Sequence, residues 1–361
     1  MFRGCCSFIR KNLVFGATSS FILIGFVGLV QQKNKDDSYT DTIKRCDTKT
    51  EVDKQKELRG ASILKYGAPD RGQDVRFYIN HVIGFDQEKR IPNWVAEHIT
   101  VDHLNGSAVR KHSHFKEDTN IPELFRSSNS DYKNSGWSRG HMAPASDSKY
   151  SQVAMNDTFL FSNIVPQDID NNRDFWNRFE IYCRDLTQRF DDVRIISGPL
   201  FVPSLKEDGK LFMKYEVVGA HQVAVPTHLY KIVTVENTSS KLVGVGAFIV
   251  PNQPISSDHA NLTEYQVPLE DLEKKTGFTF LPTLDLSQTE NLCSIDTCKL
   301  MSAKDMQQFV IRKKLQRASD FSQLEKVWKE MEKKRISPEK IDHDLYAKKK
   351  EELMNQESKK G

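Results

Sequence analysis

Residues 136–147, GWSRGHMAPASD, form the most unusual stretch of this 361-residue sequence. Tryptophan, arginine, glycine, histidine and proline follow one another within a few positions, and this composition favours neither a continuous helix nor a strand. Gly140 permits a tight turn or a close approach of the backbone. Pro144 restricts the backbone conformation where the chain leaves the turn. The stretch therefore predicts a turn that holds Arg139 and His141 close together.

A second polar stretch follows at residues 162–180, SNIVPQDIDNNRDFWNRFE. It leads into a segment whose apolar residues recur at helical spacing, which predicts a helix over residues 171–190. The residues of this apolar stripe are Trp176, Phe179, Cys183 and Leu186. Asn171 or Asn172 is expected to cap the helix, with Asp174 in its first turn.

The polar residues of these two stretches suit chemistry on phosphate. Asn172 offers a neutral, hard oxygen of the kind that Mg²⁺ accepts beside its waters. His141 is a candidate general base, and Arg139 and Arg184 can bind phosphate oxygens in forked geometry. Residue types alone leave other roles open, because Asn172 could only cap the helix, and Glu180 and Arg184 could only form a surface pair at i, i+4 spacing.

Several other enzyme classes lack support in the sequence. No Gly-rich phosphate-binding loop of the Walker type is present, and no G-x-S-x-G nucleophile elbow. No cluster of acids of the two-metal kind is present either. The pattern points to phosphodiester hydrolysis by a general base and a lightly held metal ion.

The middle of the chain predicts a mixed α+β domain. Five runs have strand-like alternation with aromatic and β-branched residues, at 75–86, 158–165, 193–201, 223–235 and 241–251. Helices are few and do not alternate strictly with these strands, which favours an α+β class around a sheet. Residues 36–300 carry 31 Lys and Arg against 38 Asp and Glu, so any anion site there must be a local patch.

The N-terminus predicts a membrane anchor with a mitochondrial address. Residues 13–30 are 18 positions without a charged side chain, and this length is just enough for one helical span. The segment before them is basic and contains no acidic residue. A cleaved secretory signal is the rival interpretation. Residues 1–35 are therefore assigned to targeting and anchoring, and the polar residues 36–60 to a linker.

The C-terminal residues 301–361 change character. Periodic apolar residues stand among dense Lys and Glu, and Pro338 interrupts the pattern, which predicts two or three amphipathic helices with a basic face. Such a region is either a solvated helical tail on the core or a surface that contacts a polyanion.

Six cysteines are few for this length. Cys293 and Cys298 lie five residues apart, and either a local disulfide or two buried thiols are compatible with that spacing. The rarity of disulfides in reducing compartments favours thiols.

The two stretches together resemble the DNA/RNA non-specific nucleases of the ββα-metal kind. SRGHMAPASD, followed by SNIVPQDIDNNRDFWNRFE, matches two separate motifs of that family at compatible spacing. The family normally has Asp-Arg-Gly-His, and here Ser138 stands in place of the aspartate. That serine, together with VAVPTHLYKI, FIVPN and the C-terminal extension, is most similar to a mitochondrial branch of the family that acts both as exonuclease and as endonuclease.

The resemblance assigns roles to individual residues. His141 would be the general base, Asn172 the direct protein ligand of Mg²⁺, and Glu180 would hold the metal through water. Arg139 would contact the phosphate, and Arg184 would steady the charge on the leaving oxygen. Mn²⁺ is the expected substitute for Mg²⁺.

A further phosphate contact is expected from Arg110, which lies outside the two strong motifs. The missing aspartate at position 138 leaves open which residue orients the histidine. Trp137, next to it, either packs in the core or stacks on a base, and packing is favoured.

The resemblance also implies an architecture and a setting. Residues 61–300 would form the ββα-metal nuclease domain with a mixed or antiparallel central sheet, and residues 301–361 a helical wing that limits strand entry. The expected enzyme is a homodimer at the mitochondrial inner membrane. It would cut DNA, with RNA as a further candidate substrate, combining 5′-to-3′ exonuclease action on single strands with endonuclease action in DNA repair.

Two alternative functions are also compatible with the sequence. One is a membrane-tethered nucleic-acid-binding protein with an inactive nuclease site, which would bind through the basic C-terminal helices. The other is a secreted, sugar-non-specific nuclease.

Overall fold

A long antiparallel sheet organises the protein. The computed structural model describes Arg59, residues 63–64, 74–256, 259 and 261–357. Beyond Arg59 and residues 63–64, these belong to one compact unit, Arg71–Gly361. The strands are β1 (Val75–Phe77), β2 (His81–Asp86), β3 (Ile91–Ile99), β4 (Ser138–His141), β5 (Ile164–Gln167), β6 (Asp192–Leu200), β7 (Ser204–Leu205), β8 (Leu211–Phe212), β9 (Val217–Val218), β10 (Val223–Ala224), β11 (His228–Asn237), β12 (Leu242–Pro251), β13 (Gln266–Val267) and β14 (Glu290–Asn291).

The helices lie between and after these strands. They are α1 (Val101–Leu104), α2 (Asn129–Tyr132), α3 (Gln152–Asp157), α4 (Ile169–Arg173), α5 (Phe175–Leu186), α6 (Leu269–Thr276), α7 (Leu292–Ile295), α8 (Ala303–Arg317), α9 (Phe321–Lys333) and α10 (Lys340–Glu357). Short 3₁₀ turns occupy Arg110–His112, Glu123–Phe125, Ala145–Ser148, Phe161–Asn163, Leu262–Glu264 and Leu286–Gln288.

The central sheet has eight strands. Its order is β1-β2-β3-β6-β11-β12-β13, and β14 adds to β12. All these pairs are antiparallel except β12 with β14, which is parallel. The class is therefore α+β with a mixed central sheet, as the sequence predicts.

The strand predictions succeed where a run is uninterrupted. β6 and β12 coincide with the predicted runs at 193–201 and 241–251. The run at 75–86 is instead two strands joined by a turn, and the run at 223–235 divides before β11 at Pro226, which has no backbone N–H for a ladder. The run at 158–165 contains a turn and a 3₁₀ turn, and only its last two residues belong to a strand, β5.

The predicted helix over 171–190 is wrong as a single element. Asp174 has φ −114° and ψ −83°, outside the helical region, and it separates α4 from α5. Its carboxylate binds the guanidinium of Arg178, which is fully buried. The apolar stripe is confirmed, because Trp176, Phe179, Cys183 and Leu186 are all at most 1% exposed.

Helices dominate the chain after residue 300. α8, α9 and α10 pack on one another around a small core of their own, and α9 ends before Pro338 while α10 begins after it. The buried residues of this core are Ile311, Leu315, Ala318, Leu324, Val327, Met331, Ile336 and Leu353. The helical prediction for this region is confirmed, with three helices.

The expectation of free thiols at Cys293 and Cys298 is wrong. These cysteines form a disulfide with an S–S distance of 2.02 Å. The short helix α7 turns the chain so that their Cα atoms lie 5.1 Å apart, within the range that a disulfide needs.

The predicted anchor at residues 13–30 lies outside the described residues. Among the residues that the structure does describe, no helix is both long enough and apolar enough to cross a bilayer.

Candidate active site

A strand pair places the two residues of the unusual turn. β4 pairs antiparallel with β5, with His141 opposite Ile164 and Arg139 opposite Pro166. Gly140 lies against the side chain of Gln167, and a Cβ atom there would meet Gln167 Oε1 at 2.2 Å. Glycine is therefore required at this position by the close approach of the neighbouring strand.

The helix after β5 places Asn172 beside this strand pair. The Asp168 carboxylate caps α4 by accepting hydrogen bonds from the backbone N–H groups of Asp170 and Asn171, so the predicted capping by Asn171 or Asn172 is wrong. The Asn171 side chain is buried and binds the backbone carbonyls of Pro251 and Gln253.

Asn172 faces the site, and a hydrogen bond to Ser138 holds its side chain there. Asn172 Nδ2 donates to Ser138 Oγ at 2.9 Å, and that hydroxyl donates to the carbonyl of Gln167 at 2.7 Å. Because the amide nitrogen is engaged, Oδ1 remains available for another partner. The serine that replaces the family's aspartate therefore orients the asparagine rather than the histidine.

One cavity of about 320 Å³ brings most of the predicted residues together. Its lining includes Arg110, Arg139, His141, Asn172 and Glu180. Five of the six predicted site residues thus meet at one place, although they come from four separate elements. Arg110 joins the others even though it lies outside the strong motifs.

His141 is held by aromatic rings. The side chain is 7% exposed, and its ring centroid lies 5.4 Å from that of Phe115 and 4.9 Å from that of Phe159. Nε2 is buried and has no hydrogen-bond partner in the described part of the chain, so the Nδ1 edge is the one that faces the cavity. Burial, followed by the positive charges of Arg110 and Arg139, lowers the pKa of His141 to about 3. The imidazole is therefore neutral at physiological pH and can accept a proton.

The same aromatic rings support the two arginines. The guanidinium carbon of Arg139 lies 4.3 Å from the ring centroid of Phe115, and that of Arg110 lies 5.4 Å from that of Phe159. Arg139 also donates to Asn129 Oδ1. These contacts restrict the arginines before any anion binds, which lowers the entropy cost of binding one.

Glu180 lies at the inner side of the cavity, on α5. Burial raises the pKa of Glu180 to about 7, while the positive charges of Arg184 and Lys231 act in the opposite direction. The carboxyl therefore changes its protonation near neutral pH in the protein without metal.

Arg184 is the one predicted site residue that lies apart from the other five. Its Nη1 donates to Asp147 Oδ1 at 2.7 Å, and it does not line the cavity. The alternative interpretation, in which Arg184 and Glu180 form only a surface pair at i, i+4 spacing, is wrong, because the guanidinium binds the buried Asp147 carboxylate instead. The charge of Arg184 acts on Glu180 only at longer range.

Four residues of the site escaped the sequence reasoning. They are Phe115, Asn129, Asp147 and Phe159. Asp147 closes the quoted stretch SRGHMAPASD, so its position in the motif was an available signal. The other three lie outside both motifs and carry no local signal.

The donor set fits a lightly held Mg²⁺. The described residues contain no group of three or more His, Cys, Asp or Glu side chains placed to hold a metal ion. Asn172, with Oδ1 unengaged, and Glu180 line the same cavity and offer only oxygen. Few protein oxygens, with water in the other positions, are what Mg²⁺ accepts.

Comparisons with known proteins agree with this geometry. Residues 59–287 match the model of the DNA/RNA non-specific endonuclease family. The chain is 48% identical over 291 residues to the mitochondrial nuclease EXOG of Xenopus laevis, which covers 80% of this chain and 81% of that protein. It is 46% identical over 300 residues to the human mitochondrial nuclease EXOG, covering 82% and 81% respectively.

A more distant relative and a solved structure extend the comparison. The mitochondrial nuclease of Saccharomyces cerevisiae is 40% identical over 249 residues, 67% of this chain and 75% of that protein. The crystal structure of EndoG in complex with EndoGI superposes with a TM-score of 0.59 at 38% identity, covering 64% of this chain and 95% of that one. With β4, β5 and the following helices in the ββα arrangement, this chain belongs to the DNA/RNA non-specific endonuclease family, whose members hydrolyse phosphodiester bonds.

Proposed function

We propose that this protein is a Mg²⁺-dependent mitochondrial nuclease that hydrolyses DNA, and RNA as a second substrate, with Mn²⁺ as an alternative metal. The observation that carries the proposal is the single cavity in which a neutral histidine, two arginines, an asparagine oxygen and a carboxyl meet. These groups belong, in that order, to His141, Arg110 and Arg139, Asn172, and Glu180.

Each residue has a task in the proposed reaction. Arg110 and Arg139 bind the non-bridging oxygens of the scissile phosphate. His141 takes a proton through Nδ1 from a water molecule, and the resulting hydroxide attacks phosphorus. The P–O bond opposite the attacking oxygen breaks, and its electron pair leaves with the departing oxygen.

Asn172 and Glu180 are the residues that would hold the metal. Asn172 would bind it through Oδ1, and Glu180 would accept hydrogen bonds from its hydration shell. When bound, Mg²⁺ neutralises charge that develops on the phosphate and on the leaving oxygen.

Binding of the substrate phosphate also raises the pKa of His141. Two of the charges that lower the pKa of His141 belong to Arg110 and Arg139, and a bound phosphate offsets both. The histidine therefore becomes a stronger base once the phosphate is in place. Arg184 is assigned a supporting role through Asp147, because it does not line the cavity.

The finer proposals concern the mode of cleavage and the setting. We propose 5′-to-3′ exonuclease action on single strands together with endonuclease action, in mitochondrial DNA repair. The EXOG relatives cover 80% or more of this chain, whereas the EndoG structure covers 64%. This difference supports a nuclease domain at 61–300 and an added wing at 301–361 that limits strand entry.

A homodimer at the mitochondrial inner membrane completes the proposal. The uncharged residues 13–30, the linker at 36–60 and the mitochondrial names of the relatives support the location, and the homodimer rests on the resemblance alone.

Cleavage of end-labelled DNA by the full chain tests the proposal. Single-stranded DNA labelled at the 5′ or the 3′ end is incubated with Mg²⁺ or with EDTA. We expect Mg²⁺-dependent release of short products from the 5′ end, and loss of all cleavage in His141→Ala. His259→Ala is the matched control, because His259 is exposed and lines neither this cavity nor the neighbouring one. Cleavage by His141→Ala at the parent's rate would disprove the general-base assignment. Absence of cleavage in a folded parent would favour the binding protein.

A further inference from the structure

A second cavity adjoins the one just described. It has a volume of about 490 Å³, and Arg110 and Arg139 line both cavities. The two arginines thus form a shared wall. An anion bound by these arginines therefore lies next to both cavities.

The charge of the second cavity is entirely positive. Arg110, Lys133 and Arg139 are exposed cations in its lining, and none of the described residues that line it is acidic. Because residues 36–300 are acidic as a whole, this local positive patch runs against the bulk charge. A patch of this kind attracts an anion locally.

An aromatic side chain gives the cavity a stacking surface. Trp137 lines it, is partly exposed, and also packs against the main core. Its backbone N–H donates to Ser135 Oγ at 3.1 Å, and the next residue begins β4. The ring is therefore held on a rigid element immediately beside Arg139. The predicted packing of Trp137 is confirmed, and the exposed part of its ring lines the cavity.

We propose that this second cavity binds the nucleotide that flanks the scissile phosphate, with its base stacked on Trp137 and its next phosphate paired with Lys133. The inference rests on the proposed function, since the shared arginines are taken to hold the scissile phosphate. A single strand whose phosphate lies at the shared wall must place one neighbouring nucleoside on the side of each cavity. Stacking on an aromatic ring tolerates every base, which suits an enzyme without sequence preference.

Binding of single-stranded DNA to an inactive background tests the subsite separately from catalysis. The probe is a fluorescein-labelled oligonucleotide of about 12 residues, near the upper end of single-strand site sizes, and its anisotropy is followed with full-length His141→Ala in Mg²⁺. Adding Trp137→Ala weakens binding by about 5- to 150-fold, the range expected for one lost base stack. Trp137→Phe restores most of the affinity. The matched control is Phe77→Ala, because Phe77 is an aromatic residue that is 75% exposed and lines neither cavity.

A change of probe isolates the stacking contact. The second probe replaces every nucleotide of the oligonucleotide by a stable abasic residue and keeps every phosphate. The loss of affinity caused by Trp137→Ala is then measured on both probes, and it disappears on the abasic one if the ring stacks on a base. Lys133→Ala removes one exposed cation and lowers the slope of log affinity against log salt by about 0.7, the value for one phosphate contact on a single strand.

The outcomes separate this inference from the proposed function. Unchanged affinity in both Trp137→Ala and Lys133→Ala would overturn the subsite, as would an equal loss on abasic and intact DNA. If the parent fails to cleave DNA with Mg²⁺, the proposed function fails, whatever the binding data show. Cleavage by the parent together with unchanged binding in the variants would reject the subsite alone.

Discussion

Replacing Glu180 by glutamine is expected to stabilise the metal-free protein at alkaline pH while removing its activity. Without metal, burial raises the pKa of Glu180 from 4.5 to about 7. A raised pKa in the folded state means that folding favours the protonated carboxyl. The stability that the protonated group contributes is fully present below pH 4.5 and is lost as the pH rises through about 7.

The difference between these two pKa values sets the size of the change in the free energy of unfolding. It corresponds to about 3 kcal/mol as an upper limit. The Glu180 side chain is only half-buried at the cavity wall, so solvent screening reduces the effect to about 1–3 kcal/mol. Glutamine keeps the shape and cannot ionise, so Glu180→Gln avoids this loss at high pH.

Urea unfolding in EDTA at about pH 4 and about pH 8.5, below the unfolded and above the folded pKa, measures the effect. We expect parent and Glu180→Gln to have nearly equal free energies of unfolding at the acidic pH, and the variant to be more stable at the alkaline one. Glu117→Gln is the control, because Glu117 is exposed. A stability difference that is the same at both pH values would refute the reasoning. With Mg²⁺ present, the parent's metal affinity should fall as the pH drops below about 7, since protons then compete for the carboxylate.

Two further predictions concern contacts that only the structure shows. Ser138→Ala removes the hydroxyl that receives the Asn172 amide and should weaken Mn²⁺ binding, measured by calorimetry, by about 10-fold. Ser138→Thr keeps a hydroxyl and should retain most of the affinity, whereas equal binding by the alanine variant would rule out this role. Cys298→Ala opens the bridge to Cys293 and should lower the free energy of unfolding by about 2 kcal/mol, the entropy expected for so short a loop. The same loss should follow reduction of the parent with dithiothreitol, and an unchanged urea midpoint in both cases would show that the bridge does not stabilise the fold.

The local sequence pattern was enough to predict part of the fold. The stripe of α5 was predictable because its four residues repeat at the helical period within one segment, and burial follows from that period. The strands β6 and β12 were predictable because each is rich in Val and Ile and is bounded by polar or turn residues. β3 was missed, although it is an interior strand of the sheet, between β2 and β6.

The sequence by itself was enough to name the candidate site residues that the structure brings into one cavity. His141, Asn172 and Glu180 lie inside two compact motifs, and short-range spacing is enough to name them. The ββα unit that presents them follows from a strand pair and a helix that are close in the chain.

Only the tertiary structure decided how those residues are held. Arg184 pairs with Asp147, which lies 37 positions away, and Ser138 binds Asn172 across 34 positions. Phe115 reaches His141 and Arg139 from another segment altogether. Contacts of this range depend on how the chain folds back on itself, and local periodicity carries no information about them.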